Sequence, residues 1–133
     1  MDLITAIIDH IDNGSEAEAV AVRALCSSFF TGHDPANTSR PYGIVDEATW
    51  DKEYEAHDKT VRVDLSVIQI QVYTDTRAEA VALLDALDDC LSQKVLTTTT
   101  RETMGKPEID DRLVQKETDC WRGVLNLAYL LQK

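Results

Sequence analysis

The residues with chemistry to offer are three histidines, three cysteines and several clusters of carboxylates. His10 lies in Asp9-His10-Ile11-Asp12, a composition that suits a metal ligand set. On a helix, however, only residues three and four apart meet, so positions 9, 10 and 12 do not converge. A solvated helix end explains them more simply. His33-Asp34 and His57-Asp58 fall in loop-like stretches, and nothing in their spacing requires a shared metal. Cys120 beside a histidine would make a thiol nucleophile, but no local signature accompanies it. Its place next to Trp121, at the start of an apolar run, suits packing. Cys26, Cys90 and Cys120 are odd in number and widely spaced, without a CxxC, which predicts reduced thiols in a cytosolic setting. Gly14, Gly32, Gly43, Gly105 and Gly123 are scattered singly, so no phosphate-cradling loop or nucleophile elbow is present. The expectation is a protein without catalytic, cofactor-binding or metal residues: not an enzyme.

Charge and composition narrow the class further. The 133 residues carry a net charge of −11. That argues against a basic nucleic-acid footprint, which needs clustered Lys and Arg. Asp85, Asp88, Asp89 and the pair Asp110-Asp111 form either a solvated acidic surface or a docking face for a basic partner. An apolar content of 44% is enough for a single hydrophobic core. One domain over 1–133 follows, large enough to need no disulfide or metal staple. No apolar run approaches the ~20 residues of a membrane span. Asp2 directly after Met1, and Asp9-His10 after Ile7-Ile8, leave no signal-peptide pattern.

The elements are read from hydrophobic period. Leu3, Ile4, Ile7, Ile8 and Ile11 form one stripe of a helix over about 2–12, with Asn13-Gly14 as a left-handed stop. Residues 15–30 fit two patterns: a helix through Ala17, Val20, Ala21, Ala24 and Leu25, capped by Ser15 and Glu18, or a strand through Val20, Val22, Ala24 and Cys26. The Ala and Glu content favours helix first, then a strand near Ser28–Thr31. A loop over 32–40 and a strand over 41–50 follow, and the charged stretch 51–59 reads as a loop. Val61 to Tyr73 is the clearest strand. Its apolar positions alternate at 61, 63, 65 and 67, then change phase to Ile68, Ile70 and Val72. Either a bulge near Val67-Ile68 restores one face, or the strand's two halves bury different faces, one in the core and one against a neighbour. Thr76 with Glu79 makes a capping box for a helix over about 76–93, with Ala80, Leu83, Leu84, Leu87, Cys90 and Leu91 facing the core. A loop with four consecutive threonines spans about 95–106. Ile109–Thr118 and Trp121–Leu131 then form a hairpin whose last strand, apolar on both faces, is an inner one. The fold class is α+β: a mainly antiparallel sheet with one long strand, about 61–73, and two main helices, about 2–12 and 76–93, packed on one side.

Three segments together carry a resemblance: RPYGIVDEATW at 40–50, VRVDLSVIQIQVYTDTRAEAVALLDALDDCLSQ at 61–93, and CWRGVLNLAYLL at 120–131. A Pro-aromatic strand entry, a long strand feeding a Thr-capped helix, and a final strand opened by tryptophan resemble the tail-completion or tail-terminator proteins of long-tailed bacteriophages and prophages. The resemblance covers most of the chain past residue 40; 15–31 and 94–108 match nothing in it. It implies a virion subunit made in the host bacterial cytoplasm. Such a subunit forms a homo-oligomeric, hexameric ring on the tail-tube protein, stops tube growth and meets the head-completion or connector protein. DNA passes through the ring without specific binding, which a net negative charge suits. A head-completion or neck component of the same connector is the near alternative. An acidic cytosolic adaptor or inhibitor of a basic protein is the alternative of another class.

Overall fold

The computed structural model describes residues 3–32, 39–55, 62–92, 102–103 and 108–132. The elements run α1 (Leu3–Asn13), α2 (Ala17–Leu25), β1 (Phe29–Thr31), β2 (Tyr42–Glu55), β3 (Arg62–Thr74), α3 (Arg77–Leu91), β4 (Glu102–Thr103), β5 (Glu108–Lys116) and β6 (Trp121–Gln132). The strands form one sheet in the order β1-β2-β3-β6, with β5 and β4 both along the far edge of β6. Every pairing is antiparallel except β1 with β2. The expected α+β class and mainly antiparallel sheet are therefore present. Among the described residues the helices number three, because residues 17–25 form a full helix of their own.

The phase change in β3 has a clear outcome. Its register with β6 runs from Val63↔Gln132 to Thr74↔Trp121 without a shift. The strand itself holds no bulge, so positions 63, 65 and 67 have the opposite parity to 68, 70 and 72. The irregularities belong to β2, which carries one extra residue between Glu47 and Thr49, against the Val67–Ile68 step, and another between Trp50 and Glu53. β2 also continues through Glu55, where a charged loop was expected. The backbone pairing of Glu53, Tyr54 and Glu55 with Asp64, Val63 and Arg62 overrides the composition of that stretch. The threonine run of the expected 95–106 loop lies outside the described residues; Glu102–Thr103 within it pairs with β6.

One face of the sheet holds the core. Ile68, Ile70 and Val72 on β3, Val45 on β2, and Leu125, Leu127 and Tyr129 on β6 are all fully buried. α3 packs its expected stripe of Ala80, Leu83, Leu84, Leu87, Cys90 and Leu91 against them. It starts where Thr76 Oγ1 accepts a hydrogen bond from Glu79 N at 3.2 Å, and Thr74 Oγ1 steadies the turn by donating to Thr76 O at 2.7 Å. α1 adds Leu3, Ile7 and Ile11, and α2 packs Ala19 and Val22 over α1 and α3.

Two local readings at the α1–α2 junction are corrected. Gly14 does not adopt the left-handed conformation; among the described glycines only Gly32 has positive φ, at 96°. Gly14 is required by space instead, since a Cβ there would stand 2.5 Å from His10 O. The cap of α2 is Glu16 rather than Ser15, and its side chain makes no cap hydrogen bond. Arg23 ties the two helices together: its Nη1 donates to Ile11 O at 2.8 Å and Gly14 O at 2.9 Å, filling acceptors left open at the end of α1. Arg23→Met keeps the aliphatic stem and removes these charge-assisted bonds. It is expected to cost about 1–3 kcal/mol in urea unfolding.

Tyr129 sits opposite Ser66, fully buried, and its hydroxyl has no partner among the described residues. Desolvation, and secondarily the nearby Cys90, pushes its pKa well above the ordinary phenol value. A raised folded pKa means that the stability tied to the neutral phenol is present below the unfolded pKa of about 10 and lost as pH rises above it. Tyr129→Phe is expected to stabilise the domain by about 1 kcal/mol at neutral pH. It should also flatten the loss of stability above about pH 10; thermal melts across that range check both effects.

Candidate functional site

The helices leave the second face of the sheet uncovered among the described residues, and strand parity decides what stands there. Tyr42, Ile44 and Asp46 come from β2, Gln69, Gln71 and Tyr73 from β3, Arg122, Val124 and Asn126 from β6, and Leu113 and Gln115 from β5. Gln71 is the centre of a polar network. Its Oε1 accepts from Tyr73 Oη at 3.1 Å and Arg122 Nε at 2.8 Å, while its Nε2 donates to Gln69 Oε1 at 3.0 Å. Tyr42 stacks on Tyr73 with ring centroids 5.0 Å apart. At the sheet's end the network opens into a crevice of about 440 Å³ that includes Arg40, Glu117, Asp119 and Cys120. Arg40 Nε donates to Asp75 Oδ1 at 2.7 Å, and Arg122 lies 3.8 Å from Glu117. Side chains are thus held rigidly on a broad face, which suits recognition of another surface.

The sequence-level candidates for chemistry do not come together there. His10 is half-buried on α1, its Nδ1 4.0 Å from Glu16 Oε2; His33 and His57 lie outside the described residues. Cys26, Cys90 and Cys120 are in no disulfide among the described residues, and all three are buried. Burial pushes the Cys26 and Cys120 thiols up, and Asp119 adds to the effect at Cys120, so both are disfavoured as thiolates. Among the described residues no group of three His, Cys, Asp or Glu could hold a metal ion, and no helix is long and apolar enough to cross a membrane. Asp85 is engaged by Arg112 Nη2, tying α3 to β5.

A second surface was not evident from sequence. The stripe Ala17, Val20, Ala21, Ala24 and Leu25, which marks α2 as a helix, faces outward, while Ala19 and Val22 turn inward. Val20 and Leu25 remain 48% and 44% exposed. With Ala82 and Ala86 of α3, Ala17 and Ala21 floor a groove of about 480 Å³ edged by Glu18, Asp85 and Asp89. The signal available was composition: α2 is apolar nearly all round, a pattern that belongs to a helix covered on both sides.

No family model and no curated protein matches the sequence. Solved structures do match over nearly the whole chain. A chain from the virion of a native gene transfer agent particle superposes with a TM-score of 0.69 at 18% identity, covering 98% of this chain and 95% of that one. The chain shares its fold with a virion protein. The bacteriophage SPP1 gp17 protein matches with a TM-score of 0.53 at 15% identity, over 97% of this chain and 95% of its own. Both matches run over nearly the whole length of the chain, so they take in residues 15–31, for which sequence offered no counterpart.

Proposed function

We propose that this protein is a non-enzymatic structural subunit of a phage or phage-like particle. It assembles as a ring, hexameric by analogy with the tail terminators its sequence resembles. The ring caps the tail tube, stops its growth and presents the surface that joins head to tail. Its partners are further copies of itself, the tail-tube protein and the head-completion or connector protein, and it resides in the virion after synthesis in the host bacterial cytoplasm. The observation that carries this reading is the near-complete structural match to a virion chain. Two features of the molecule support it. Among the described residues one sheet face is left uncovered by helices, as a subunit that meets neighbours requires. The net charge of −11 lets DNA pass a lumen without adhering.

Removing the gene from the particle's genome tests the role. Filled heads with separate tails of abnormal length are the expected products. Tails of normal length that fail to join would instead indicate a neck component, and normal infectious particles would refute a structural role.

A further inference from the structure

We propose that the protein's own charge is a brake on ring closure: copies repel one another, and screening by salt, rather than pairing of opposite charges, lets them associate. The proposal rests on the ring reading above and deepens it by naming what regulates the contact between copies. The chain holds 24 aspartates and glutamates against 13 lysines and arginines. Among the described residues most of the cations are committed within their own chain. Arg23 Nη1 donates to Ile11 O and Gly14 O. Arg40 is bonded to Asp75 and stands 4.0 Å from Asp119. Arg112 is bonded to Asp85, and Arg122 to Gln71 with Glu117 3.8 Å away. Lys116 lies 5.4 Å from the Trp121 ring centre. Arg77 stands exposed at the start of α3. The acidic side is in excess. Asp9 on α1, Glu18 on α2 and Asp89 on α3 are all exposed, and none is paired with a cation among the described residues.

The brake does not depend on which surfaces meet. A compact chain of this length has a radius of gyration of about 14 Å. The Debye length is roughly 30 Å at about 0.01 M salt and roughly 8 Å at about 0.15 M. In dilute salt the charges of one copy therefore act across the whole width of the next, and the net charge of −11 on each copy governs their approach. At the higher salt only charges close to the contact still act, and apolar burial at the contact is less opposed. A basic partner gives the opposite dependence, since its attraction to this chain weakens as salt rises. The sign of the salt effect thus separates contact between like copies from docking of a cation-rich protein.

Light scattering of the purified protein, read as mass against concentration at about 0.01 M and about 0.15 M sodium chloride, tests the proposal. Association should be at least about tenfold tighter at the higher salt. A triple variant, Asp9→Asn with Glu18→Gln and Asp89→Asn, removes one charge from each helix and leaves the core alone, with circular dichroism to verify folding. Repulsion follows the product of the two net charges, which the variant cuts to about half. It should therefore associate at least about threefold more tightly than the wild type in low salt and draw level with it in the higher salt. Association that weakens or stays level as salt rises, or a triple variant no tighter than the wild type in low salt, overturns the brake and leaves the ring standing. A wild type that assembles at neither salt, alone or on tail tubes, overturns the ring reading and this inference together.

Discussion

Replacing Ile70 by alanine should destabilise the domain by about 3–5 kcal/mol, whereas Gln69→Ala, one residue earlier, should cost less than about 1 kcal/mol. Ile70 is fully buried between Val45 and Leu125, its register partners on either side, within the cluster that α3 covers. Truncation there removes a core side chain and leaves a cavity that a close-packed interior relaxes only partly. Gln69 is half-buried on the opposite face and loses one hydrogen bond, from Gln71. Against a total stability of about 5–15 kcal/mol for a domain, the first change threatens folding and the second does not. Urea unfolding of both variants checks the strand's parity. Equal losses would contradict it.

Gly123→Val should cost about 3 kcal/mol, a sign opposite to what strand propensity alone suggests. Valine is the better strand former by up to about 1 kcal/mol. Gly123 and Gly43 are the two register partners of Val72, so a glycine–valine–glycine row crosses three strands. A Cβ on Gly123 would stand 2.8 Å from Val72 Cγ2 and 3.1 Å from Leu84 Cδ1 and Cγ, so α3 rests directly on the glycine. The branched side chain must either displace Leu84 or lift the helix, the usual cost of overpacking a filled core. A thermal melt of the variant reads the result, and an unchanged or raised midpoint would show that α3 does not press on this row.

What the sequence made legible followed strong, local periodicity. The α3 stripe, its Thr76 cap and the inner position of β6 all come from patterns that burial enforces on one face at a time. β3's length and phase change were equally plain, but choosing between a bulge and two faces required the partner strand, because the extra residues sit on β2. The extension of β2 to Glu55 was hidden for a related reason: its charged residues are weak strand formers, and only pairing with the overlong β3 holds them there. At the candidate surfaces the helical stripe of α2 was readable, while its outward direction was not. Periodicity locates an apolar face without saying whether the chain itself or a neighbour covers it. The Gln71 network joins residues from β3 and β6 that are distant in sequence, Gln71 and Arg122 among them, and no spacing rule anticipates such a contact.

A subunit that caps a growing tail tube as a ring must set the length of that tube. Polymerising the particle's tail-tube protein with and without the purified protein, and measuring tube lengths by electron microscopy, tests it most directly. Tubes should stop growing when the protein is added and carry a ring of it at one end. Tubes of the same length distribution in both samples, with neither end decorated, would contradict the claim.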